Sequence, residues 1–260
     1  MSFGFVDPWH SFLPRDGGHV LGFMGSGGKT SLLRAIAEFY ADQDTPTVLT
    51  TTTRSEILPG LTAYTWAELQ VADLQTLPTV FYVHGGEIEP GKWGGLAADQ
   101  VDALGGLLPD RVVLVEVDGA AKQPLKFYRP GEPVWPSRTS LAFVVMGVGA
   151  VGGRISAAVH RWGRVPFTPL ADIKDYALLE WCHLKELLLA DGGYLSQVPP
   201  GVPAVLSLAG LAVQDDSIGL FEFVGQAMAH PSLPLVMFCS RGEKAFEIRT
   251  AYVERQDGSS

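Results

Sequence analysis

Apolar residues along the chain recur in two spacings, as short uninterrupted runs and as one-sided helical repeats. The first run, residues 19–24, leads through a glycine-rich segment into residues 30–41, whose apolar side chains fall on one face of a predicted helix. Further apolar runs predict strands at 47–50, 79–83, 112–115, 141–146, 204–206 and 235–238. Helical repeats lie between them at 66–74, 96–108 and 172–189. Because unbroken apolar runs suit strands covered on both faces, the pattern predicts an α/β fold with a doubly wound, mainly parallel sheet flanked by helices.

The same pattern predicts the domain organisation. We expect an N-terminal arm at 1–17, a single α/β domain at 18–250 and a C-terminal tail at 251–260. Residues 150–200 are a candidate helical sub-lobe of that domain. A chain of 260 residues that is 47% hydrophobic can build a full core for one such domain.

Composition narrows the classes of partner and the compartment. The net charge of −9 argues against nucleic acid or an anionic membrane as the main partner. The chain has no uninterrupted apolar stretch of about 18 residues, so no membrane span is predicted. The N-terminus lacks the basic and apolar regions of a signal peptide. Cys182 and Cys239 lie far apart and form no metal-ligand cluster. We therefore expect a cytoplasmic protein.

The glycine-rich segment has the layout of a phosphate-binding P-loop, in which a strand, a glycine turn, Lys-Thr and a helix follow one another. Glycines let backbone N–H groups turn toward phosphate oxygens, and the helix N-terminus adds its positive dipole end. Lys29 is predicted to reach the terminal phosphates and the Thr30 hydroxyl to bind Mg²⁺. The segment departs from the standard pattern, because Phe23 stands where a glycine is usual and Gly22 lies one place too early. A glycine turn with an exposed lysine is the alternative. The predicted nucleotide-binding residues here are Gly25, Ser26, Gly27, Gly28, Lys29, Thr30 and Ser31.

Two carboxylates follow the apolar run at 112–115. Glu116 and Asp118 point to the same side while the chain stays extended. Ligands of parallel sheets bind at the carboxyl ends of strands, so both are expected near Lys29. Asp118 is a candidate Mg²⁺ contact, directly or through water, and Glu116 a second contact or a water-positioning group. Lys29, Asp118 and Glu116 are thus the candidate catalytic residues. The alternative is that both carboxylates cap the strand.

Four threonines and an arginine follow the second predicted strand, at 50–54. Thr51, Thr52, Thr53 and Arg54 are predicted to contact nucleotide phosphates, since hydroxyls and a planar guanidinium suit phosphate oxygens. A stretch of high β-propensity with a capping threonine explains the same residues.

A basic stretch at Arg154–Arg164 stands out in an acidic protein. Its cations suit the binding of a second anion, such as the phosphate of a pterin cofactor or an acceptor substrate. They also suit the role of an arginine finger. A solvated charged surface is the alternative.

Together these segments resemble the YqeC-type proteins, described as accessory proteins of selenium-dependent molybdenum hydroxylases. The resemblance rests on the order and spacing of four blocks, at 25–31, 48–54, 115–126 and 131–136. It implies a P-loop NTPase fold, nucleotide binding, and a role in the maturation of a molybdenum enzyme. Lys126 and Glu132 also match the family's motifs, without a chemical role that we can assign.

One departure bears on base specificity. The late strand of many members ends in an Asn-Lys-x-Asp-like guanine reader, whereas residues 206–211 have no Asn, Lys or Asp. ATP is therefore favoured over GTP. The leading hypothesis is a Mg²⁺-dependent NTPase acting in maturation of a molybdenum hydroxylase or its pterin cofactor. The alternatives are a nucleotide-gated binding module with little turnover, and a small-molecule kinase.

Overall fold

The structure is a computed structural model that describes residues 9–56, 60–119, 121–211, 218–241 and 248–254. Its strands are numbered in chain order. They are β1 (Val20–Gly25), β2 (Thr47–Thr51), β3 (Ala63–Thr65), β4 (Val80–His84), β5 (Glu87–Glu89), β6 (Lys92–Trp93), β7 (Val112–Glu116), β8 (Leu125–Lys126), β9 (Thr139–Gly147), β10 (Val159–His160), β11 (Ala204–Ala209), β12 (Leu235–Arg241) and β13 (Ile248–Glu254).

The α-helices within those ranges are α1 (Trp9–Phe12), α2 (Lys29–Asp42), α3 (Trp66–Val71), α4 (Ala98–Leu107), α5 (Ile155–Ala158), α6 (Trp181–Leu189) and α7 (Ile218–Met228). No helix in this part of the chain is both long and apolar enough to cross a membrane.

One large sheet organises the described residues. Its nine strands lie in the order β13-β12-β11-β9-β1-β7-β2-β4-β3. Every neighbouring pair is parallel except β12 and β13, which pair antiparallel at one edge. Two small ladders, β5 with β6 and β8 with β10, lie outside this sheet. The predicted α/β fold with a mainly parallel sheet is confirmed.

Alternation along β1 assigns its side chains to the two layers of the core. Leu21 and Phe23 face the layer that α2 covers with Leu32 and Ile36. Val20 and Met24 face the opposite layer, which contains the apolar faces of α4, α6 and α7. All six positions of β1 are buried, as expected for a central strand covered on both sides.

The helix predicted over 172–189 is shorter in the structure, and this prediction is wrong in its first half. Backbone groups before α6 pair with a neighbouring loop instead of with a helical turn. Leu179 N–H donates to Gly153 O, and Gly152 N–H donates to Leu179 O, each at 2.8 Å. Glu180 then starts α6 as its N-cap. Tertiary pairing therefore outweighs the apolar repeat of residues 172–180.

Both predicted terminal segments contribute in part to the fold. Within the described portion of the N-terminal arm, Leu13 is buried against the α2 layer and the Phe12 ring lies 6.2 Å from that of Phe143. Residues 251–254 of the predicted tail belong to β13, and residues 255–260 lie outside the described part of the chain.

The sheet order places the carboxyl ends of the central strands side by side. β1 lies between β7 and β9, with β2, β4 and β3 beyond β7 and β11 and β12 beyond β9. The strands that follow β1 in sequence therefore lie on both sides of it. Such a switch point opens a crevice at the carboxyl edge, where parallel sheets bind ligands.

Candidate functional site

The segment between β1 and α2 is a tight glycine turn at this carboxyl edge. Gly25 and Gly27 have left-handed φ angles of +98° and +81°, which only glycine adopts at little cost. A Cβ atom at Gly25 would lie 2.0 Å from the Val145 carbonyl oxygen of β9. α2 begins at Lys29 after an N-cap, Gly28, that has no side chain to accept from the first helical N–H groups. The turn therefore presents these N–H groups and the positive helix end to a ligand.

Lys29 lies between two carboxylates at the carboxyl end of β7, Glu116 in its last position and Asp118 just beyond it. Its Nζ is 2.8 Å from Asp118 Oδ1 and 3.5 Å from Glu116 Oε1. Asp118 Oδ2 also accepts the Gly25 N–H at 2.9 Å. Only 4% of Lys29 and none of Asp118 is exposed. The fold thus brings together residues that are separated by about ninety positions in sequence.

The electrostatics of this cluster favour a charged lysine. Burial by itself favours the neutral amine of Lys29, but the negative charges of Asp118 and Glu116 outweigh it and raise its pKa. Burial raises the pKa of Glu116, and the Asp118 charge adds to this, while Lys29 opposes it. Lys29 is therefore held as an ammonium group at the base of the crevice.

A cavity of about 950 Å³ opens above the turn. Residues 26–32 form one side of it, residues 121–124 another, and Arg54 and Lys92 lie at its rim. Among the described residues, Glu116 lines this cavity and Asp118 does not. The two carboxylates, which look equivalent in sequence, therefore differ in access, because one faces the cavity and the other is enclosed beside Lys29.

The threonines at 51–53 reach the same edge but use their hydroxyls within the protein. Thr51 Oγ1 donates to Glu116 O at 3.0 Å and accepts the Thr53 N–H at 3.0 Å. Thr52 Oγ1 donates to Val134 O at 2.9 Å. These contacts tie the end of β2 to β7 and to the segment between β8 and β9. The assignment of Thr51, Thr52 and Thr53 to nucleotide binding stays a prediction.

Arg54 differs from the threonines because it faces the cavity. It is 74% exposed, and its Nη1 lies 3.7 Å from Glu89 Oε1 in β5. Lys92 Nζ lies 3.4 Å from the same carboxylate. The β5–β6 hairpin thus supplies Lys92 and the Glu89 carboxylate, which lies within 4 Å of both Lys92 and Arg54.

Sequence reasoning assigned no role to Lys126, yet it is a central member of the buried cluster. It is fully buried, and its Nζ lies 3.3 Å from Asp118 Oδ2 and 3.5 Å from Glu132 Oε2. It donates to Gly119 O at 2.7 Å. Burial lowers the pKa of Lys126, and Asp118 and Glu132 oppose that effect. The sequence carries one signal for this role, because Lys126 lies between two apolar neighbours in a short strand. A lysine is rarely fully buried without a partner, so a charged partner is expected there.

The basic stretch at 154–164 is divided by the structure. Arg161 is 10% exposed and forms a bidentate pair with Glu132, with Nη2 2.9 Å from Oε1. Arg154 and Arg164 are exposed. Burial and the neighbouring Arg161 charge lower the pKa of His160. Arg161 is therefore the residue of the stretch that joins the cluster around Lys126.

A second group of candidate ligands lies at the start of α6. One ligand atom from each of Glu180, Cys182 and His183 falls within 4.8 Å of the others. Glu180 N–H donates to His183 Nδ1 at 3.0 Å, and Cys182 Sγ donates to Glu180 Oε2 at 3.6 Å. Helix capping accounts for this arrangement.

Comparisons with known proteins agree with the site's motifs. The family model described as "YqeC protein" matches residues 21–163, which is more than half of the chain. A protein of Escherichia coli, "Uncharacterized protein YqeC", is 29% identical over 216 residues, covering 81% of this chain and 83% of its own length. No solved structure matches. The family match includes the glycine turn, both carboxylates and the cluster around Lys126, and the chain belongs to the YqeC protein family.

Proposed function

We propose that the chain binds a nucleoside triphosphate with Mg²⁺ in the 950 Å³ cavity and hydrolyses it. One observation carries this proposal: a glycine turn leads into α2, whose buried Lys29 lies beside Glu116 and Asp118. The helix N–H groups and Lys29 would bind the phosphate oxygens, as in other P-loop proteins. Ser26 and Ser31 line the same cavity and would complete the cradle.

The donor set fits Mg²⁺, which prefers oxygen ligands. The Thr30 hydroxyl and the Glu116 carboxylate both line the cavity and would hold it. Asp118 would act from behind, through water or through Lys29, because its oxygens already face Gly25 N–H and two lysines. Bound Mg²⁺ would neutralise charge on the phosphate oxygens.

The cavity wall beyond the turn supports ATP over GTP. Ala209 and Gly210 line it at the end of β11, and Cys239 lines it from within β12. Among the described residues, this part of the wall offers no carboxylate with which to bind a guanine edge. Arg54 and Lys92 would contact the phosphates from the rim.

The decisive experiment measures binding of ATP and GTP by calorimetry, with Mg²⁺ and with EDTA. We expect wild type to bind MgATP and Lys29→Met to bind it at least roughly a hundredfold more weakly, since a buried cation is lost from the phosphate. Lys122→Met is the matched control, because Lys122 lines the same cavity but is 88% exposed. Equal affinity in wild type and Lys29→Met would exclude the proposal. Steady-state phosphate release then tests turnover.

A nucleotide-gated binding module is the second candidate. Its supporting observation is that Lys29 Nζ donates a hydrogen bond to Gly25 O and forms an ion pair with Asp118. Phosphate binding to Lys29 must therefore rearrange the turn. The partner in either case would be a molybdenum hydroxylase or its pterin cofactor, a proposal that rests on the family resemblance. Capture of a purified molybdenum hydroxylase with and without MgATP separates the candidates. Nucleotide-dependent capture without turnover supports gating, and nucleotide-independent capture opposes it.

A further inference from the structure

One buried carboxylate serves two lysines. Asp118 is fully enclosed, with Lys29 Nζ 2.8 Å from Oδ1 and Lys126 Nζ 3.3 Å from Oδ2. Lys29 faces the cavity, whereas Lys126 is fully buried and is not among the residues that line it. The two cations therefore have different access to a ligand, although they share a counter-ion.

The remaining contacts of Lys126 hold it in place. Its Nζ donates to Gly119 O, and its backbone N–H donates to Tyr194 Oη at 2.9 Å. Glu132 lies 3.5 Å from its Nζ and is itself tied to Arg161. Lys126 is thus anchored by Gly119, Tyr194 and Glu132, while Lys29 lies on the cavity side of the shared carboxylate.

This arrangement matters when an anion arrives above the turn. Lys29 can bind a phosphate fully only if its ammonium group loosens from Asp118. With no other cation nearby, that movement would leave a buried carboxylate without a counter-ion, which is strongly unfavourable. Lys126 remains beside Asp118 and removes that penalty.

We propose that Lys126 is a positioning residue for phosphate binding, acting as the permanent counter-ion of Asp118 so that Lys29 is free to engage the ligand. The inference rests on the proposed function. Lys126 touches neither phosphate nor metal in this scheme and acts through Asp118 alone.

A double-mutant cycle tests it, with inorganic pyrophosphate and MgATP as probes and calorimetry as the measurement. We expect Lys126→Met to weaken binding of both probes roughly tenfold, the size usual for coupled charged neighbours. In an Asp118→Asn background the same change has less than about a twofold effect, because the carboxylate through which it acts is gone. Lys126→Arg keeps the charge and restores most of the affinity.

Loss of one positive charge needs its own control. Lys122→Met removes a charge from the cavity rim, at a residue that is 88% exposed, and should cost less than Lys126→Met. Equal losses for the two lysines, or an undiminished effect of Lys126→Met in the Asp118→Asn background, would overturn the proposal. Unchanged affinity in Lys126→Met would overturn it as well.

Two further measurements keep the inference testable. If Lys126→Met does not fold, Glu132→Gln replaces it: Lys126 then pairs more closely with Asp118, so pyrophosphate should bind more tightly, and weaker binding contradicts the scheme. If wild type binds neither probe, the proposed function fails, and acetylation of Lys29 read by mass spectrometry tests the inference separately. Acetylation should be slower in Lys126→Met than in wild type, and equal rates refute the shared counter-ion.

Discussion

Gly22 makes room for Trp135: a Cβ atom at position 22 would lie 2.3 Å from Cζ3 of the indole ring. The ring is anchored at its other edge, where Nε1 donates to Gln197 O at 2.7 Å. Phe23, which replaces the usual P-loop glycine, is buried and stacks on Phe143 with ring centroids 4.7 Å apart. The irregular part of the motif therefore serves the core, while the glycines after it shape the turn.

Gly22→Ala should destabilise the protein by about 1–3 kcal/mol, the usual cost of overpacking a rigid core site. Urea unfolding measures this change. The matched control is Gly106→Ala in α4, where an added Cβ meets no atom within 4 Å. That control should be neutral or stabilising by up to about 1 kcal/mol. Equal stabilities of the two variants would contradict the packing role of Gly22.

Gly25→Ala should abolish MgATP binding, because the new Cβ collides with Val145 O and the φ angle of +98° disfavours alanine. Gly201→Ala isolates the second effect, since Gly201 has a φ of +79° and no atom within 4 Å of the added Cβ. We expect that control to lose about 1–2 kcal/mol of stability and to keep its affinity. Calorimetry and urea unfolding on both variants measure the difference, and wild-type affinity in Gly25→Ala would refute it.

Glu116→Gln should reduce MgATP affinity at least roughly tenfold and shrink the difference between titrations with Mg²⁺ and with EDTA. Metal-free pyrophosphate should bind as well as before or better, because a negative charge near Lys29 is gone. Glu56→Gln is the control, at a 69% exposed residue of the same cavity. An unchanged Mg²⁺ effect in Glu116→Gln would argue against a metal contact there.

Tyr194→Phe should cost about 1–3 kcal/mol of stability, because it leaves the buried Lys126 N–H without its acceptor. The Tyr194 ring, which packs edge-on against Tyr128 at 5.3 Å, stays in place. Tyr176→Phe, at a 72% exposed side chain, is the matched control and should be neutral. Urea unfolding that finds both variants equal to wild type would contradict this.

Acid should destabilise the protein through His84. Burial lowers the pKa of this imidazole, an effect that Glu68 only partly opposes, and Nδ1 accepts the Gly86 N–H at 3.1 Å. The unfolded chain takes up this proton near pH 6.5 and the folded chain at lower pH, so stability is lost as pH falls below about 6.5. His84→Asn keeps an acceptor and removes the titration. Urea midpoints at about pH 7.5 and about pH 5.5, on either side of the ordinary histidine pKa, should differ less in that variant. An equal difference would exclude His84 as the cause.

Several elements could be predicted because their signals are local. Each of the apolar runs that form β1, β7 and β9 lies within one segment, so each predicts a strand buried on both faces whatever it packs against. The one-sided repeat of α2 predicts an amphipathic helix in the same way. The glycine turn is equally local, since its backbone angles depend on residues 25–28 themselves. These signals were sufficient for the α/β class and for the position of the turn at a strand end.

Contacts between distant segments decided the rest. The sequence predicted that Asp118 and Glu116 point to the same side, and it gave no sign of their different access to the cavity. Packing against Gly25 and Lys126 encloses Asp118 and leaves Glu116 facing the cavity. The apolar repeat of residues 172–180 predicts a helix, but backbone groups of this segment form hydrogen bonds with the loop near Gly153 instead. Burial and pairing of polar groups are properties of the assembled layers, because the partners of each group come from other parts of the chain.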